Sequence, residues 1–113
     1  MASRTAKLVA TESKRRSPDT AKSIAKTVPE HKRGVVLRLS RVEGQVRGVL
    51  RMIASDQTTD AVAQQLAAAR QALERAFFEL MAGDLEQEVN SARNAADRTR
   101  KVSEKIRLLA KYS

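Results

Sequence analysis

Four arginines, Arg38, Arg41, Arg47 and Arg51, share the segment 38–53 (RLSRVEGQVRGVLRMI) with a regular apolar row. A guanidinium is a planar, permanently charged fork that can grip a phosphate or a guanine edge through two N–H groups. The chemistry on offer is therefore anion recognition, most simply of a nucleic-acid backbone. The apolar residues say what positions it. Val35, Leu39, Val42, Val46, Val49 and Ile53 step by four and three, the repeat of a helix packed along a partner helix. At about 100° per residue they fall within roughly a quarter-turn, and the arginines fall outside it. Gly44 and Gly48 stand among the arginines. A mid-helix glycine costs roughly 1 kcal/mol against alanine, which a phosphate backbone or a second helix lying close would offset. The competing reading is a solvated basic face with Arg47 paired to Glu43, four residues earlier.

Composition narrows the partner. The chain has 113 residues, a net charge of +9 and a pI of about 10.7, which is one small domain with a preference for anions. Residues 1–33 hold nine Lys/Arg against three acids, and residues 34–113 hold thirteen against ten, so much of the excess lies in the leader. Two Phe, one Tyr and no Trp make a poor stacking platform for single strands, which favours duplex DNA. The absence of cysteine excludes disulfides, thiolate metal sites and thiol catalysis. No apolar run approaches the roughly 20 residues of a membrane span. The basic N-terminus lacks a secretion signal's apolar core, so a cytoplasmic location is expected.

Residues 1–30 mix Ser, Thr, Lys and Arg around Ser17-Pro18 and Pro29 without sustained periodicity, and read as a basic flexible arm. Residues 31–113 read as the helical domain. Val28 precedes a proline and is biased away from helix, so the first helix should begin between Glu30 and Arg33 and run to about Ala54. Thr58 or Thr59 can cap a second helix carrying Val62, Leu66, Ala69, Leu73, Ala76 and Leu80, to about Asn90 or further. Residues 94–97 look like a turn before a third helix with Val102, Ile106 and Leu109. A short link between long helices implies an antiparallel hairpin. One hairpin and a short helix cannot bury both long stripes, whereas two hairpins can. The expectation is an all-α, three-helix protomer forming an antiparallel four-helix-bundle dimer, extended to a dimer of dimers.

The chain resembles the CsoR/RcnR/FrmR family of small helical transcriptional repressors. The resemblance rests on RLSRVEGQVRGVLRMI and on QQLAAARQAL at residues 64–73, and spans about residues 33–111. It implies a homo-oligomer, dimer or flat tetramer, that binds GC-rich inverted repeats in double-stranded DNA and releases them when an inducer binds. It also implies DNA contacts at Arg38 and Arg75, which join Arg41, Arg47 and Arg51 as the candidate DNA-binding set. The family's sensing residues are mostly missing. Its helix-two cysteine falls at Thr59, the neighbouring tyrosine at Thr58, the histidine at Asp84 and the second cysteine at Glu88, while a helix-three glutamate matches at Glu104. Thr59, Asp84, Glu88 and Glu104 are thus a candidate ligand set or a degenerate sensor. Copper(I) wants soft thiolates, and formaldehyde sensing in the family needs the same cysteine. No copper binding and no other metal or cofactor is expected.

Asp84 continues the second helix's apolar stripe and Glu88 lies one turn further. Three readings stand: both acids solvated beyond the core, an ion pair with Arg93 or a third-helix base such as Lys105, or an oxygen-ligand site with Glu104 for a hard cation. His31, the only histidine, reads as exposed or near phosphate, with metal ligation the weaker alternative. No Ser/His/Asp constellation and no phosphate-cradling glycine loop is present, so no enzymatic activity is expected. The function expected is DNA-binding repression. The alternative is a helical assembly protein that forms mixed oligomers with a related regulator and has no specific DNA binding of its own.

Overall fold

The computed structural model describes residues 18–113, with side chains from Thr20 onward. Four helices and no strand occur among these residues: α1 (Pro18–Thr27), α2 (Glu30–Ala54), α3 (Thr59–Asn90) and α4 (Ala95–Tyr112). The fold class is all-α, with one helix more than the three expected. The chain divides into two compact units, the first ending at Ala76 and the second spanning Phe77–Ser113.

The additional helix lies within the stretch read as a flexible arm, and α1 packs against α2. Pro18 opens it, a position where proline loses no hydrogen bond and its fixed φ suits the first turn. Ala21 and Ala25 are buried one turn apart, and their small side chains allow close approach. Arg33 Nε donates to the carbonyl of Ala25 at 3.1 Å, satisfying one of the carbonyls left open at the helix end. Residues 1–17, including the Lys14-Arg15-Arg16 run, lie outside the described residues.

The start of α2 at Glu30 and its end at Ala54 agree with the sequence expectation. At its C-terminus, Asp56 takes a positive φ of 58°. The Asp56 N–H bonds Ile53 O at 3.1 Å and the Gln57 N–H bonds Met52 O at 2.9 Å, the paired bonds of a Schellman ending with aspartate in the position glycine usually holds. Thr58 then starts α3, its Oγ1 accepting from the Ala61 N–H at 3.2 Å, an N-cap of the ordinary kind. The chain therefore stops and restarts a helix within four residues.

Only half of each apolar row is covered. In the first unit, Val35, Val42, Val49, Ala69 and Ala76 are buried, at seven-residue spacing within each helix. The intervening positions Leu39, Val46 and Ile53 on α2, and Leu66 and Leu73 on α3, are exposed, Ile53 by 59% and Leu66 by 51%. A single stripe in the sequence is thus two adjoining faces in the fold.

In the second unit, α4 begins at Ala95, so residues 94–97 are not a free turn. Asn94 is the N-cap, with its Oδ1 accepting from the Asp97 N–H at 2.8 Å, and Asp97 reaches back to the Arg93 N–H at 3.1 Å. The reciprocal arrangement resembles a capping box, with aspartate in the acidic position.

Candidate functional site

The five candidate DNA-contacting arginines lie in the first unit but do not share one surface. Arg41 and Arg51 on α2 and Arg75 on α3 are exposed, with no ion pair among the described residues. Arg38 is partly buried and already engaged within the chain. Arg47 lies along α2 with its side chain 17% exposed, its Nη1 3.5 Å from Glu43 Oε1. Helical geometry explains the split: at about 100° per residue, Arg38 and Arg47 point to opposite sides of α2, with Arg41 and Arg51 between them. Gly44 and Gly48 lie on the side carrying Arg41 and Arg51. A Cβ built at Gly48 would meet nothing within 4 Å, and one at Gly44 only the Arg47 side chain at 3.9 Å. Among the described residues no close packing demands either glycine.

The candidate sensing residues are not gathered into one site. Thr59 is exposed at the first position of α3, in the first unit. Asp84 and Glu88 belong to the second unit, where Lys105 of α4 stands between them. Its Nζ lies 3.4 Å from Glu88 Oε1 and 3.7 Å from Asp84 Oδ2, with the lysine side chain 13% exposed. The ion-paired reading thus holds over the solvated one, and Lys105 rather than Arg93 is the partner. The lysine stem also lines an apolar groove with Phe78, Met81, Leu85, Ile106 and Leu109, so its methylenes are packed while its ammonium meets the carboxylates. Glu104 does not join them, because its carboxylate receives Arg100 Nη1 at 2.9 Å. His31 is partly buried and engaged within the chain. Among the described residues no group of three His, Cys, Asp or Glu side chains could hold a metal ion.

Asp97 is the residue the sequence reading passed over. Its side chain is 7% exposed and is contacted by Arg100 Nη2 at 2.7 Å and Lys101 Nζ at 3.5 Å. The backbone N–H of Arg93, then the Arg100 guanidinium and the charge of Lys101, hold its carboxyl down at about 2 against the burial that opposes them. The Arg100 guanidinium is correspondingly held above its ordinary value by Asp97 and then by Glu104. The signal was present as Asn94-x-x-Asp97, a cap residue followed three positions later by an acid. The cluster positions α4 and presents no free acid–base group.

No described helix is long and apolar enough to cross a membrane. No curated protein and no solved structure matches the chain. The model of the metal-sensitive transcriptional repressors matches residues 31–111, a family of regulators and not of enzymes. With that match covering α3 and all but one residue of α2 and of α4, the chain belongs to the metal-sensitive transcriptional repressor family.

Proposed function

We propose that the protein is an oligomeric repressor that binds duplex DNA in a sequence-specific manner, and that it senses neither copper(I) nor formaldehyde through the family's cysteine chemistry. The observation that carries the repressor reading is the family match over residues 31–111, with arginine at both positions, Arg38 and Arg75, that the family resemblance assigns to DNA. Arg41, Arg51 and Arg75, exposed and without ion pairs among the described residues, are the cations best placed to add phosphate contacts. Arg47, laid against Glu43, contributes least. DNA from upstream of the protein's own gene, competed with scrambled DNA, tests the reading.

Oligomerisation is supported by the half-covered apolar rows. Leu39, Val46, Ile53, Leu66 and Leu73 repeat at seven-residue intervals on α2 and α3, the spacing of a second helical layer. A second copy of the hairpin offers a matching row, and two hairpins make an antiparallel four-helix bundle. The cytoplasm is where such a repressor meets its operator.

The negative half rests on ligand chemistry. Thr59, Asp84 and Glu88 stand where the resemblance places a cysteine, a histidine and a second cysteine, so two sulfurs and a nitrogen are replaced by oxygens. Two of those oxygen groups already share an ammonium of the chain's own. Copper(I) titration should reveal no stoichiometric high-affinity site, and a tight equimolar site would overturn this half of the proposal.

A further inference from the structure

Helix α1 lies ahead of the stretch that matches the repressor family, which starts at residue 31, so that match gives it no role. A helix of ten residues is not stable by itself and holds only through packing. Its packing on α2 is thin. Ala21 and Ala25 are buried, and Arg33 of α2 donates to the carbonyl of Ala25. Ile24, the one large apolar side chain of α1, is 47% exposed. The helix is held close by its smallest residues and leaves its largest apolar one half uncovered.

Ile24 lines a groove whose other wall includes Val36 and Leu39 of α2. Leu39 is 43% exposed and is the first member of the uncovered row that continues through Val46 and Ile53. At about 100° per residue, that row runs between the buried Val35, Val42 and Val49 and the side of α2 on which α1 docks. Helix α1 therefore stands as a wall along the start of the row, and Ile24 extends the row's apolar surface beyond α2. Whatever covers Leu39 meets Ile24 as well, because both line the same groove.

We infer that the groove between α1 and α2 is part of the self-association surface, and that a second copy of this chain covers Ile24 together with Leu39. The inference rests on the oligomeric reading above and adds to it a helix outside the family match. It assigns α1 to the strength of assembly, because burying an aliphatic side chain stabilises in proportion to the area removed from water.

The test places the photo-cross-linker p-benzoylphenylalanine in the full-length protein in place of Ile24, and maps the irradiated product by mass spectrometry. The same group in place of Lys22, exposed about 160° further round α1, is the control. The position of Ile24 should yield a covalent two-chain product joined to α2 or α3 of the second copy, and the position of Lys22 should not. Sedimentation velocity over a concentration series then compares the parent with Ile24→Ser and Ile24→Leu, with helicity checked by circular dichroism. Ile24→Ser should weaken the dimer about tenfold or more, since each of two copies loses an apolar contact, and Ile24→Leu should behave as the parent. In a protein that sediments as an oligomer, the absence of a two-chain product overturns the role of α1 alone. A link from position 24 to residues 1–17 of the same chain, or an unchanged dissociation constant in Ile24→Ser, does the same. A parent protein that stays monomeric across the series overturns the oligomeric reading itself.

Discussion

The two units treat their charges in opposite ways. In the second, almost every charge of interest is satisfied within the unit: Lys105 bridges Asp84 and Glu88, Arg100 bridges Asp97 and Glu104, and Lys101 adds to Asp97. In the first, Arg41, Arg51 and Arg75 project without ion pairs among the described residues, and half of each apolar row is uncovered. Under the proposed function the first unit offers an apolar row to a second copy and cations to DNA, whereas the second pairs its cations internally while Ile106 and Tyr112 stay exposed.

The largest effect that could break this contrast is on assembly. Val46→Asp or Leu66→Asp should convert the oligomer to monomer in sedimentation velocity, because an unpaired carboxylate in an apolar interface costs several kcal/mol. An unchanged sedimentation coefficient would remove the exposed rows from the interface. Next in size, Arg38→Ala and Arg75→Ala should each cost about 1–3 kcal/mol of operator binding where they read a base, or lower the salt slope by about 1 where they hold a phosphate. Arg47→Ala should do less than either, since its guanidinium already lies on Glu43.

The second unit should answer in stability and not in binding. Asn94→Ala removes the N-cap of α4 and should cost about 1 kcal/mol in denaturant unfolding, with operator affinity per folded oligomer retained. Asp97 adds a pH signature. Its carboxyl sits at about 2 in the fold against 3.8 ordinarily, so the folded state favours the charged form. Its stabilisation is complete above about pH 4 and drains away as pH falls toward 2. Asp97→Asn should flatten that acid limb of the stability profile. The smallest effect is the sharpest discriminator. Gly48→Ala should raise stability by up to about 1 kcal/mol, because the new methyl meets nothing within 4 Å among the described residues. If a partner passes close to that face, the same methyl should weaken binding to it while the fold gains.

Much of the fold was legible because local rules decide it. Pro29 and the four-three row set the bounds of α2, and Thr58 had the hydroxyl and the position to cap α3. Helix α1 was missed because Ser17-Pro18 reads as a break, although proline at the first helical position is a start, and because Ala21, Ile24, Ala25 and Val28 make a faint stripe dominated by small residues. Asn94 and Asp97 suggest a turn singly and a cap together. The fate of the stripes was not legible in principle: periodicity marks which residues are apolar, and only the packed chain divides them into Val42, 4% exposed, and Ile53, 59% exposed. Lys105 was one of several bases that could reach Asp84 and Glu88, and choosing among them needs the packing of α4.

The most direct test of the central claim is competition anisotropy on DNA from upstream of the protein's own gene, near physiological salt, with scrambled DNA as competitor. A sequence-specific repressor should prefer the native sequence by about a thousandfold or more, and that preference should survive copper(I) and its chelation alike. Equal competition by scrambled DNA would contradict the account, leaving a basic helical bundle whose partner is another protein.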